Sequence, residues 1–235
     1  MTLDKNPSIW ILLPCYKRPD YTIQCLTSLV KAQEYNQNVM FYMVDDGSCD
    51  GTDGLLKSCD IPNKRVIIHN DNKGLRSSIL EFFKAAQTEK PDIIGIIGND
   101  TILFKNWLDK TIDMLFNTDL DVVSPNYMPS NPAFTQGIEC GKPYRLAKDI
   151  VGLWFMDRRL LDGISFEELD LWGIKGSINL LKQIKHEKSP KIGWIPEVLC
   201  LDLGHHSGLA PGHIKTKEHE EYSKEIGRSV SWQSE

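Results

Sequence analysis

Several features are missing from this sequence, and each absence removes a class of function. The six cysteines, Cys15, Cys25, Cys49, Cys59, Cys140 and Cys200, include no Cys-x-x-Cys pair, and that spacing argues against a zinc or iron–sulfur site. No apolar run nears the roughly 20 residues that span a bilayer. Positive charge is in deficit, with 27 Lys and Arg against 32 Asp and Glu and a formal net charge of -5. Such a chain sets up no field that draws in nucleic acid, so an anionic ligand must be held locally by a metal, by amides or by single cations. Internal repeats and low-complexity linkers are absent as well. The opening Met1–Pro7 has neither the basic region nor the apolar core of a secretory leader. The expectation is therefore a cytoplasmic protein with free thiols and no transmembrane segment, for which peripheral membrane association is left open.

What is present is the composition of an ordinary globular protein. The 235 residues are 41% hydrophobic and 25% charged, enough for one large α/β domain or two small ones. Ile9–Leu13 is an unbroken apolar run closed by Pro14, the pattern of a strand buried on both faces. Asp20 is placed to cap a helix carrying Ile23, Leu26 and Val30 on one face. Val39–Val44 is a second strand, running into Asp45-Asp46-Gly47-Ser48, and Val66–Ile68 a third, running into His69-Asn70-Asp71-Asn72. A helix follows with Leu75, Ile79, Phe82, Phe83 and Ala86 on one face. The fourth strand, Ile93–Ile97, ends abruptly in Gly98-Asn99-Asp100, and the next helix includes Trp107, Leu108, Ile112 and Leu115.

This alternation predicts a mostly parallel sheet with helices on both faces. It also predicts that Tyr16, Asp45, Asp46, Asn72 and Asp100, each just beyond a strand, gather at the sheet edge where ligands of open α/β folds bind. The bland alternatives are a plain strand-ending turn at Asp45–Ser48 and a helix N-cap at Asp100. The second half is less regular. Val122-Val123, Ile150–Met156, Ile192–Pro196 and Val198–Leu201 are strand candidates, and residues 180–184 suggest a helix. A single domain is the simplest account, with residues 8–120 as a nucleotide-binding half, 121–210 as an acceptor half and 211–235 as a polar tail.

The segments Leu13-Pro14-Cys15-Tyr16-Lys17-Arg18, Val44-Asp45-Asp46-Gly47-Ser48, Asn72-Lys73-Gly74-Leu75, Gly98-Asn99-Asp100 and Phe166–Gly173 together resemble the family 2 glycosyltransferases. These are inverting nucleotide-sugar enzymes with a single Rossmann-like GT-A domain and a smaller acceptor-side subregion. The likeness covers roughly residues 8 to 210. It implies that Pro14 and Tyr16 border the nucleobase and that Asp45 or Asp46 accepts a hydrogen bond from it, from uracil N3–H with a UDP-sugar. Arg18, Asn99, and Lys73 or Arg76 beside Asn72, would complete the donor site. Asp100 would ligate Mn²⁺ or Mg²⁺, a hard cation suited to oxygen ligands, and His205 or His206 matches a late histidine that reaches the metal or the diphosphate. The partners implied are a nucleotide-sugar and a hydroxyl acceptor that is a glycan or is linked to lipid or protein.

Two departures from the family pattern stand out. The first Asp of the usual Asp-x-Asp is Gly98. Where the family places Glu-Asp after Trp172-Gly173, this chain has Ile174-Lys175, and neither can take a proton from an acceptor hydroxyl. Asp170 is the replacement candidate for the base, with Glu168 and Glu167 behind it and Asp157 as a further possibility. These losses favour, as an alternative, a catalytically silent relative that binds nucleotide-sugar or glycan. A nucleotidyltransferase is a weaker alternative, because the loop after the first strand has no glycine.

Overall fold

The computed structural model describes residues 6–32, 38–125, 143–147, 153–164 and 188–203. Within them the chain runs β1 (Ile9–Cys15), α1 (Pro19–Ala32), β2 (Val39–Asp45), α2 (Thr52–Ser58), β3 (Lys64–Ile68), α3 (Leu75–Glu89) and β4 (Ile93–Ile96). It continues through β5 (Thr101–Leu103), α4 (Trp107–Asn117), β6 (Val122–Ser124), β7 (Arg145–Leu146), β8 (Trp154–Asp157), a 3₁₀ turn at Arg158–Leu161, β9 (Ile192–Trp194) and β10 (Cys200–Asp202). Eight strands form one mixed sheet in the order β3-β2-β1-β4-β8-β6-β9-β7, and β5 and β10 form a separate antiparallel pair.

The unbroken apolar character of β1 follows from its central position. It pairs in parallel with β2 on one side and with β4 on the other. Alternate side chains enter different cores, as the two-residue period of a strand requires. Ile9, Ile11, Leu13 and Cys15 join Val39, Phe41 and Met43 against Cys25, Leu26 and Leu29 of α1. Trp10 and Leu12 join Met40, Tyr42 and Val44 against Ile79, Phe82, Phe83 and Ala86 of α3. Pro14 is tolerated in this central strand because β4 ends opposite Leu12, so the missing N–H falls beyond the last β4 partner. Gly95 has its own packing reason. A Cβ there would lie 2.3 Å from the ring of Phe155 on β8.

Three local expectations are corrected. Asp20 lies inside the first turn of α1, after Pro19, and the carbonyl of Arg18 accepts the N–H groups of Tyr21 and Thr22. The buried face of that helix is Cys25, Leu26, Leu29 and Ala32, while Ile23 is 46% exposed. Asp100 is no helix cap, because β5 intervenes and α4 starts at Trp107 after Asn106. The short elements α2 and β5 had no sequence expectation. Seven and three residues long, they carry too few apolar positions to show a period. The expected helix at 180–184 lies outside the described residues. Among the described residues no helix is long and apolar enough to cross a membrane.

Candidate active site

Parallel pairing of β3, β2, β1 and β4 brings their carboxyl ends to one edge of the sheet. Pro14, Tyr16, Asp45, Asp46, Asn72, Asn99 and Asp100 all follow or close those strands, so the predicted gathering is present. Its two ends are built differently.

At one end Asp45 and Asp46 are each 3% exposed. Asp45 closes β2 opposite Cys15 and accepts the Ser48 backbone N–H at 3.1 Å as well as the Ser48 hydroxyl. Ser48 Oγ also accepts the Lys17 N–H at 2.8 Å, tying the β1–α1 turn to the β2–α2 turn. Asp46 faces α3. Its Oδ1 accepts the Lys73 N–H at 2.9 Å and lies 2.7 Å from Nδ1 of His69, whose Nε2 is 3.1 Å from Glu81 of α3. Gly47, at φ +71°, lets this turn press on the next loop. A Cβ there would lie 2.5 Å from the carbonyl carbon of Asp71 and 2.7 Å from the N of Asn72, space that only glycine leaves open.

Burial works against protonation of His69, but the hydrogen bonds to Asp46 and Glu81 outweigh it and raise its pKa. Neither His69 nor Glu81 was a sequence candidate. The available signal was position, since His69 follows β3 directly, as Asp46 follows β2.

At the other end Asp100 is 22% exposed at its side chain, and its Oδ2 meets Nη1 of Arg18 at 3.3 Å. Lys17 and Arg18 have φ of 55° and 56°, a left-handed pair rare for residues with side chains. This turn brings Arg18 to Asp100. Asn99 donates to Thr22 of α1 at 3.0 Å, anchoring the turn between β4 and β5. A Cβ on Gly98 would sit 2.6 Å from Asp100 Oδ1, so the carboxylate folds over the position where the family's first Asp would stand. The Leu203 N–H donates to the carbonyl of Asp100 at 2.8 Å. The chain after β10 therefore reaches Asp100 just before Gly204-His205-His206, which lie outside the described residues.

Tyr16, 40% exposed, has Lys17 Nζ 5.3 Å from its ring centroid. Asn72 accepts the Gly74 N–H at 2.8 Å. Asn72 and Lys73 are exposed and Arg76 half-buried, on the loop and first turn of α3. Asp170, Glu168 and Glu167 lie outside the described residues. Asp157 is brought nowhere near this edge. It pairs with Ile93 at the start of β4, a strand's length from Asp100, and its carboxylate is bound by Arg159. Cys25 is no nucleophile here, since burial and then the charge of Asp100 push its thiol up to about 12.

A divalent cation fits this donor set on a restricted reading. Among the described residues no group of three His, Cys, Asp or Glu could hold a metal. Asp100 alone offers one hard oxygen ligand, which suits a Mg²⁺-type ion that takes the rest of its shell from diphosphate oxygens and water.

A model of the family described as "Glycosyl transferase family 2" matches residues 10–161. The chain belongs to this family. It is 28% identical over 120 residues to a glycosyltransferase, GlyG, from Streptococcus pneumoniae, an alignment covering 51% of this chain and 38% of that protein. The chain thus spans well under half the length of that relative. The fold resembles the mannosyltransferase PcManGT from Pyrobaculum calidifontis, solved with GDP-Man and Mn²⁺, at TM-score 0.59 and 16% identity over 83% of this chain and 56% of that one. It also resembles S. aureus TarS in complex with UDP, at TM-score 0.59 and 15% identity over 82% and 59% of the respective chains. These glycosyltransferase neighbours carry the GT-A fold, and the family 2 domain described here shares it.

Proposed function

We propose that this family 2 domain moves a sugar from a nucleotide diphosphate donor, a UDP-sugar in the first instance, to a hydroxyl acceptor on a glycan or on a lipid- or protein-linked chain, with inversion. The observation that supports it is the pair of carboxylate corners at one sheet edge, one buried and tied in on several sides, the other partly exposed and held by Arg18. Asp45 or Asp46 takes the base N–H, while Tyr16 and Pro14 border the ring. Arg18 and Lys73 or Arg76 bring positive charge to the base or the phosphates, and Asn99 positions the turn that presents Asp100. A cation held by Asp100, and by His205 or His206, would supply Lewis-acid neutralisation of the departing nucleoside diphosphate.

In the reaction the acceptor oxygen attacks the anomeric carbon as the bond to the phosphate oxygen breaks. A side-chain base takes the hydroxyl proton, and Asp170, with Glu168 behind it, holds that role. The reading places the protein in the cytoplasm, where nucleotide-sugars are the donors at hand. Hydrolysis of a panel of nucleotide-sugars with Mn²⁺ tests it, with Asp100→Ala as the control. If no nucleotide-sugar is turned over and none shifts the melting temperature, with or without metal, the donor reading fails. Gly98 and Ile174-Lys175 favour one rival, a relative that binds the donor without turnover. Nucleotide-sugar binding with no transfer to any acceptor would select it.

A further inference from the structure

His69 stands between two carboxylates, and its geometry constrains its chemistry. A carboxylate only accepts hydrogen bonds, so a ring nitrogen facing one must carry a proton. With Nδ1 at 2.7 Å from Asp46 and Nε2 at 3.1 Å from Glu81, both contacts are hydrogen bonds at once only when the two carboxyls are ionised and the ring is protonated on both nitrogens, as an imidazolium. The His69 N–H also donates to the Asp45 carbonyl at 2.9 Å, fixing the ring's backbone at the end of β2. His69 and the Lys73 N–H both take Oδ1 of Asp46. Oδ2 accepts from nothing among the described residues, and a single oxygen is left for a ligand.

We propose that His69 is a positioning residue for nucleotide recognition: it fixes the Asp46 carboxylate so that Oδ2 faces the N–H of a pyrimidine base, and it ties that carboxylate to α3 through Glu81. The inference rests on the donor reading above and selects Asp46 over Asp45 as the acceptor for the base. Among the described residues the charged groups that act on the ring are Asp46 from the β2–α2 turn and Glu81 from α3, both in hydrogen-bond contact, and Lys73 from the β3–α3 loop through its charge. Tyr42 of β2 adds a phenol in the field of Glu81. The two carboxylates favour the charged ring and Lys73 opposes it, in line with the raised pKa of His69.

The sign of the pH effect follows. Below the raised pKa the imidazolium holds both carboxylates. As pH climbs through it the ring sheds a proton, one of the two bonds is lost, and Asp46 loses the positive charge that offsets its burial. Nucleotide affinity should therefore fall as pH rises through the raised pKa of His69.

The test is titration calorimetry of UDP, with GDP as comparison, against the whole chain between pH 6 and 8.5, for wild type, His69→Asn and Glu81→Gln. Asparagine keeps one donor near the Nδ1 position without a charge. Wild-type affinity for UDP should drop about tenfold across the range. His69→Asn should bind about tenfold more weakly at pH 6, with the slope gone, and Glu81→Gln should show a reduced slope. In turnover assays the donor KM should rise in His69→Asn while kcat stays within about twofold. Tight UDP binding that is flat with pH in wild type, or unchanged in His69→Asn, overturns the role of His69 and leaves the donor reading standing. Binding of neither nucleotide at any pH overturns both.

Discussion

The two corners of the crevice carry the same functional group in opposite surroundings. Asp46 is buried, with one oxygen shared between His69 and a backbone N–H and its turn pressed on the next loop by Gly47. Asp100 is partly open, held by one long ion pair to Arg18, and backed by a glycine. A carboxylate buried with partners keeps one direction, because moving it strands buried polar groups. A carboxylate at the surface can exchange one cation for another at little cost. Recognition of a flat base edge needs the first kind of site. A diphosphate that arrives with its cation and leaves with new charge needs the second.

The largest expected effect tests the rigid corner. Asp46→Ala leaves the His69 imidazolium buried beside Glu81 with its deeper partner gone. The ring keeps Glu81, so what is lost is the charge-assisted bond to Asp46 and the acceptor of the Lys73 N–H, about 2–4 kcal/mol, to be read from the urea midpoint, with nucleotide binding lost as well. A variant as stable as wild type would show that the corner is not held in the way its geometry indicates.

Asp100→Ala should do the reverse. With the donor saturating, turnover should fall on the order of 10²–10³-fold, about 3–4 kcal/mol of barrier, as expected for losing the ligand of a Lewis-acid cation. The urea midpoint should stay close to that of wild type. If stability falls as far as it does in Asp46→Ala, the contrast between the corners collapses.

How much of this was legible in the sequence divides along the same line. The strands β1, β2 and β4 show as apolar runs because the sheet is buried on both faces, and α3 shows because Ile79, Phe82, Phe83 and Ala86 repeat with the helix. Strand ends located Asp45, Asp46 and Asp100 without any contact being known. The partners were not legible, because His69, Glu81 and Thr22 meet their counterparts across 23, 12 and 77 residues of chain. Nothing local in a sequence announces such a pairing. The Arg18–Asp100 contact depends on a left-handed Lys17–Arg18 turn, which those residue types do not favour. The exposed Ile23 shows the limit of spacing in the other direction: its position fits a helical face, but α1 turns Cys25 and Leu29 inward instead.

Gly47→Ala probes what presses the rigid corner together. The new methyl meets the backbone of Asp71 and Asn72, and the residue must keep a positive φ, so about 2 kcal/mol of stability should be lost. Nucleotide affinity should fall with it as the Lys73 N–H moves off Asp46.

The smallest expected effect belongs to the open corner. Arg18→Gln removes an ion pair with both side chains 22% exposed, so stability should change by less than about 1 kcal/mol and the difference should fade in 1 M salt. Ligand binding should nevertheless move in two directions. Freed of the guanidinium, Asp100 should bind Mn²⁺ more tightly in the absence of nucleotide, as read by electron paramagnetic resonance of free Mn²⁺. UDP without metal should bind more weakly, because a cation near the phosphates is gone. A purely structural arginine would shift both affinities the same way, and that outcome would mean Arg18 braces the β1–α1 turn instead of sharing Asp100 with the metal.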